Sequence, residues 1–506
     1  MKFRILEAEK RKNTNMKKLV TICAAAVLLM TACDRYPSHS LIVNSTDALV
    51  ETTYGTLCGY IEDGVYTFKG ISYAKADRFM PPQDPDSWEG VQTALYYGHQ
   101  CHQAPRMTWE DDCEAFLYQW DDGVQSDDCQ YLNVWTKGIN DGKKRPVMVW
   151  LHGGGYAMGA SSELPFYDGA NLARKDVVLV SINHRLNILG FMDLSDFGEK
   201  YKYSGVTGVM DMVKALEWVH NNIAAFGGDP DNVTIFGQSG GGGKVNILMG
   251  TPSAKGLFNK GIIESGSMLS LAKPEDSREM ARLTVEKLGL NENTIDEIQK
   301  VPYDKLLAAA TEAIVSKFPE NIFYRLYGAG MWFQPTLDGE VIPYPLDDPR
   351  VAEISKGLPT IIGCNFAENN MLPAVYHNAD FRYQMGDTKQ YLYVFAKPSP
   401  HMDGTFATNH CTEMPFVFNN IWLGRFMVGC DKSAYKLADL MSDVWVSFAK
   451  DGCPDVKKLK WEVYNPETKP MVVFNDKTNT VHQGDTFFEE MAAYKPERWV
   501  YRQPWW

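Results

Sequence analysis

The chain has 506 residues, of which 45% are hydrophobic, 12% aromatic and 22% charged. That balance belongs to a folded globular protein and argues against disordered, collagen-like and coiled-coil chains. The 41 glycines and 26 prolines follow no repeat period, which argues against a solenoid, and a formal net charge of −13 gives nucleic-acid phosphates nothing general to bind.

In chain order, the first feature is a leader. Met16, Lys17 and Lys18 form a basic start, and residues 19–30 are a short, mostly apolar run. This run is too short for a membrane span and reads as a signal peptide, with Met16 as the true initiator. It ends Leu29-Met30-Thr31-Ala32-Cys33, which resembles a bacterial lipobox with Met30 where Leu is usual. The resemblance implies cleavage before Cys33, acylation of Cys33 and a lipoprotein held to a membrane of the cell envelope, in the periplasm or on the outer surface. Loss of residues 1–32 removes seven basic and two acidic residues and takes the charge to −18. Residues 33–46 then form a lipidated cysteine and short tether. No linker divides the remainder, so residues 47–506 are expected to be one domain. Eight cysteines remain in the mature body, and an exported protein is expected to pair some of them.

Residues 146–152, 177–182 and 233–236 are continuous apolar runs, each suited to a strand buried on both faces of a parallel sheet. Between the second and third, Val209, Met212, Val213, Leu216, Val219 and Ile223 recur at helical spacing, and Gly227-Gly228-Asp229-Pro230 ends that helix. Further strands are expected at residues 261–264, 360–363 and 391–396. Residues 275–330 are polar and helical, an insertion over the top of the sheet. Strand alternating with helix predicts an α/β layer fold.

The sharpest chemical signal is Gly237-Gln238-Ser239-Gly240-Gly241, the single GxSxG of the chain, entered from the strand at 233–236. Glycines flank such a serine because a sharp strand-to-helix turn leaves no room for side chains and pushes the hydroxyl into the open. A phosphate-binding loop is the rival reading, since Lys244 follows the glycines. It fails because Gln238 stands where its first glycine belongs and Val245 where its Ser or Thr belongs. Upstream, His152-Gly153-Gly154-Gly155-Tyr156 closes another apolar strand and offers backbone N–H groups to an oxyanion.

A serine hydroxyl needs a base to take its proton and a third group to orient that base. On this fold the order is Ser, acid, His. Of the histidines after Ser239, His482 lies in a polar tail and His377 only nine residues beyond Glu368, the acid candidate past strand 360–363. His401 and His410 both follow strand 391–396, and spacing leaves them open, as it leaves several carboxylates.

Over roughly residues 50–500 the chain resembles the type-B carboxylesterase and cholinesterase family, which has the α/β-hydrolase fold. The matching pieces are Gly70-Ile71-Ser72-Tyr73-Ala74, Arg78-Phe79, Asp127-Asp128-Cys129-Gln130-Tyr131-Leu132-Asn133, the HGGG run, Asn183-His184-Arg185-Leu186, Gly190-Phe191, and residues 226–239. Residues 363–368 match the acid motif and imply Glu368; residues 410–418 match the histidine motif and imply His410 over His401. Backbone N–H groups of Gly154, Gly155 and Gly240 fall on the oxyanion donors, and Cys101 and Cys129 on the first disulfide. Four departures stand out: Gln238 for a common Glu, Gly240 for the usual Ala, His184 for Tyr, and Cys411 for the Gly that usually follows the histidine. The segment between Cys101 and Cys129 holds Trp109, Phe116, Tyr118 and Trp120 among acidic residues. It reads as an acidic surface loop anchored by its aromatics in preference to a cation site.

The resemblance implies a serine hydrolase that cleaves carboxylic esters through an acyl-enzyme, with Ser239, Glu368 and His410 as a triad. The partner is a small-molecule ester, and no metal or other cofactor is called for. The alternatives are a non-catalytic binding or adhesion protein on the same scaffold, and a thioesterase or amidase with the same machinery.

Overall fold

The computed structural model describes residues 39–104, 112–321, 329–330 and 332–494. The leader, Cys33 and Trp109 lie outside them. Among the described residues no helix is long and apolar enough to cross a membrane.

A twelve-stranded sheet organises the chain. Its strands are β1 (Leu41–Ile42), β2 (Tyr60–Glu62), β3 (Val65–Ser72), β4 (Tyr131–Thr136), β5 (Arg145–Leu151), β6 (Val178–Ile182), β7 (Gly228–Gln238), β8 (Lys260–Glu264), β9 (Thr360–Asn365), β10 (Gln390–Phe395), β11 (Met471–Phe474) and β12 (Asn479–Val481). Their order across the sheet is β1-β2-β3-β4-β6-β5-β7-β8-β9-β10-β11-β12. The block from β6 to β11 is parallel throughout, and the strands at both ends are antiparallel.

The continuous apolar runs in the parallel block have the expected cause. In β5, Val147, Val149 and Leu151 pack into one core, while Met148 and Trp150 pack into another on the opposite face. Helix α2 (Thr207–Asn222) covers the first face through Met212 and Leu216. Helix α8 (Lys432–Asp451) covers the second through Met441 and Trp445. Between α2 and α8 in the chain come α3 (Gly240–Met249), α4 (Pro274–Lys287), α5 (Tyr303–Lys317), α6 (Leu372–Gln384) and α7 (Met414–Val417). A further helix, α1 (Asp112–Tyr118), lies in the loop between Cys101 and Cys129.

Two boundaries differ from the sequence reading. The regular part of α2 stops at Asn222, and a 3-10 turn over Ile223–Phe226 leads to Gly227, whose φ of 73° ends the helix. Strand β7 then starts at Gly228, five residues before the apolar run, and includes Pro230. Its register against β5 breaks between Arg145 and Val147, so the proline sits where the ladder is already interrupted. The expected insertion appears as α4, a 3-10 turn at Ile295–Lys300 and α5. It is tied to the early segment by Gln299 Nε2, which donates to the Arg78 carbonyl at 2.7 Å, and by Tyr303, stacked on His102.

Candidate active site

Ser239 stands between the end of β7 and the start of α3, at φ 58° and ψ −126°. A non-glycine residue reaches this conformation only when its surroundings impose it. Here the imposition is visible. A Cβ on Gly237 would stand 2.5 Å from the Gly241 carbonyl carbon, and one on Gly241 would stand 2.0 Å from the Leu151 oxygen. The two glycines let β5, β7 and α3 meet closely, and the serine takes the strained corner between them. Its N–H donates to the Glu264 carbonyl at 2.8 Å, and its own carbonyl accepts from Gly243 N–H at 3.1 Å.

Glu368 follows the end of β9 and His410 lies beyond β10, both at carboxyl ends of parallel strands, as Ser239 is. The His410 Nδ1 and Glu368 Oε1 atoms are hydrogen-bonded. The other carboxylate oxygen, Oε2, accepts from Ser265 Oγ–H at 2.7 Å and from Asn365 N–H at 2.8 Å. With a side chain only 6% exposed, Glu368 is held on both oxygens, while the His410 side chain keeps 25% of its surface open. His401, the other candidate by spacing, turns away: its Nε2–H donates to the Arg425 carbonyl at 2.7 Å.

Behind this pair lies a buried acidic cluster that the sequence reading did not single out. Glu413 accepts from Asn365 Nδ2 at 2.6 Å, and Glu264 accepts from Trp445 Nε1 at 2.6 Å. Burial, reinforced by the Glu368 carboxylate, pushes Glu413 up to about 7. Burial, reinforced by Glu413, pushes Glu264 well above the usual carboxylate range. Low dielectric and mutual repulsion hold both toward the neutral acid. The signals in the sequence were lone glutamates beside apolar stretches, Glu264 closing the strand at 261–264 and Glu413 after His410.

Facing the serine is the glycine run after β5. Gly154 and Gly155 have φ of 85° and 59°, and a Cβ on Gly154 would stand 2.1 Å from the Met158 oxygen. Gly155 N lies 2.5 Å from where a Cβ on Gly240 would be, so the amides of these two segments are neighbours. Beneath the run, Lys244 on α3 is fully buried and its Nζ donates to the His152 carbonyl at 2.8 Å. Burial lowers Lys244 to about 7, with the Glu163 carboxylate opposing the shift. The His184 ring stacks on His152 with centroids 5.1 Å apart, and burial, then Lys244, hold it well below the ordinary histidine range. The rejected phosphate-loop lysine therefore has a structural post under the glycine run.

Cys101 and Cys129 are both buried, and the neighbouring Cys101 thiol, with burial, holds the Cys129 thiol well above its ordinary range. They are free thiols here, so the expected bond is not formed in this structure, although the two sulfurs are brought together. Cys364 and Cys411 are also free. The described part of the acidic loop is anchored through its aromatics. Tyr118 stacks on Trp120 at 4.4 Å, Tyr118 Oη–H donates to the His410 carbonyl at 2.8 Å, and Phe116 meets Phe426 edge-on at 5.5 Å.

A mostly parallel sheet covered on both faces, with a serine at a strand–helix corner and a histidine–carboxylate pair beyond later strands, defines an α/β-hydrolase. The Carboxylesterase family matches residues 46–385 and 369–491. Para-nitrobenzyl esterase of Bacillus subtilis (strain 168) is 32% identical over 489 residues, covering 85% of this chain and 95% of that protein. A solved para-nitrobenzyl esterase superposes with a TM-score of 0.77 at 30% identity, covering 89% of this chain and 100% of the other. A Clostridium hathewayi esterase described as able to hydrolyse aliphatic aromatic polyesters gives 0.77 at 31% identity, covering 90% and 98%. The chain belongs to the carboxylesterase family and is a carboxylic ester hydrolase.

Proposed function

We propose that the protein hydrolyses esters through an acyl-enzyme formed on Ser239. The observation that carries this reading is the His410–Glu368 hydrogen bond at the strand ends beside the strained Ser239 corner. His410 takes the serine proton as the hydroxyl attacks the ester carbonyl, then returns it to the departing alcohol. Water repeats the sequence on the acyl-enzyme and releases the acid. Glu368 holds the imidazole through Nδ1–H and stabilises its cationic form. The N–H groups of Gly154, Gly155 and Gly240 receive the oxyanion, and loss of one such donor costs about 2.7–4 kcal/mol in the transition state. Ser239→Ala should abolish hydrolysis of p-nitrophenyl acetate, and a fluorophosphonate probe should label Ser239 in the wild-type protein. Undiminished turnover by Ser239→Ala, or an unlabelled folded protein, refutes the assignment.

The reading extends to the leader and the cysteines. Residues 1–32 are removed, Cys33 is acylated and the enzyme is held to the cell envelope. Metabolic labelling with an alkyne fatty acid checks this: label that persists in Cys33→Ala sinks the anchor. In the oxidising envelope Cys101 and Cys129 close into the expected disulfide, a reading supported by the contact between their thiols.

A further inference from the structure

Cys411 directly follows His410 and lies at φ 69°, a left-handed conformation that strains any residue with a Cβ. Its Sγ–H donates to Gln238 Oε1 at 3.0 Å. Burial and the Glu413, Glu368 and Glu163 carboxylates keep that thiol protonated, so it acts as a donor. A donor at that point fixes the Gln238 amide with its oxygen toward the sulfur and its NH2 toward the imidazole. Gln238 Nε2 is 3.3 Å from His410 Nδ1 and 3.4 Å from His410 Nε2. Near-equal distances put the amide nitrogen on the plane that bisects the ring through Cε1, so it bears on the ring as a whole. The Nδ1 atom is already engaged with Glu368. Meanwhile Tyr118 holds the His410 main chain through the carbonyl.

We propose that Cys411 and Gln238 form a positioning pair for the base: the thiol orients the amide, and the amide holds the His410 imidazole in its working orientation. The inference rests on the Ser239–Glu368–His410 reading. The pair has an electrostatic consequence as well. The amide presents the positive end of its dipole to the ring and so disfavours the imidazolium, where a carboxylate at position 238 would favour it. Among the described residues, the titratable groups that face His410 include Glu368, Glu413, Cys411 and Tyr118, with Glu163 facing Cys411. Residue 238 is the position from which their balance can be changed without touching the Glu368 contact.

The test is a pH profile of kcat and kcat/KM for p-nitrophenyl acetate in the wild type and three variants. Cys411→Gly relieves the strained backbone and removes the donor. It should lower kcat about tenfold with KM little changed, while the thermal midpoint holds or rises. Cys411→Ser retains a donor and should recover most of the kcat that Cys411→Gly loses. Gln238→Glu should move the acid limb of kcat/KM upward by about one pH unit or more. A Cys411→Gly enzyme with wild-type kcat and acid limb overturns the pair, as does a Gln238→Glu enzyme whose acid limb stays in place. Fluorophosphonate labelling of the wild type separates the two failures. No label at Ser239 removes the triad itself, whereas a labelled wild type with an indifferent Cys411→Gly removes only the pair.

Discussion

Lys244 makes a stability prediction with an unusual sign. Its ammonium is fully buried under the glycine run, donates to the His152 carbonyl and is lowered from its ordinary 10.5 to about 7. Between those values the unfolded chain carries a proton on this lysine that the folded chain does not, so stability rises with pH through that window. The slope is about 1.4 kcal/mol per pH unit, and the whole window corresponds to about 5 kcal/mol. Lys244→Met removes the titration and loses the bond to His152, which costs about 1–3 kcal/mol if the carbonyl is left unpaired. The variant should therefore be more stable than the wild type near neutral pH, and the gap should close as pH rises. Equilibrium urea unfolding followed by tryptophan fluorescence, from about pH 7.5 to about 9.5, measures both. Over that interval the wild type should gain about 2–3 kcal/mol relative to the variant. Parallel pH dependences in the two proteins would refute the argument, because they would show Lys244 holding the same proton folded and unfolded.

Three further outcomes follow from the same geometry. Arg185 and Asp211 form a buried pair whose side chains are 2% and 0% exposed, with Nη2 2.7 Å from Oδ1. Asp211→Ala strands the guanidinium and should destabilise the fold by about 3–5 kcal/mol in urea unfolding. Glu368→Gln should reduce kcat by about 10^4 with KM little affected, because the amide no longer holds the correct tautomer of His410; steady-state kinetics decides it. Non-reducing peptide mapping of protein secreted through its own leader should recover Cys101 joined to Cys129, while protein made under reducing conditions should titrate both as thiols.

What was legible in the sequence has a common character. The strands at 146–152, 177–182, 261–264, 360–363 and 391–396 were found within one or two residues at most of their ends, because burial on both faces leaves an unbroken apolar run. Strands β1, β2 and β12 in the antiparallel ends, and β11 at the edge of the parallel block, were not read. They are two to four residues long, and the exposed ones carry no apolar run to find. The long helix α8 was missed although its apolar face is regular, since no motif drew attention to it.

The chemical site divides in the same way. By itself the sequence determined the serine corner and the glycine run, because close backbone approach demands glycines at neighbouring positions and writes them side by side. It could not by spacing choose between His401 and His410, and the family resemblance alone tipped that choice. Tertiary structure shows a difference that spacing could not: His410 meets a carboxylate 42 residues away, while His401 bonds a main-chain carbonyl. It alone revealed that Glu413 and Glu264 lie together behind that pair, that Lys244 props the glycine run, and that Cys411 reaches Gln238 across 173 residues. Backbone constraints are local and leave a local trace. The proton affinities and hydrogen bonds of a catalytic site depend on distances between segments far apart in the chain, which exist only once the sheet brings the strand ends together.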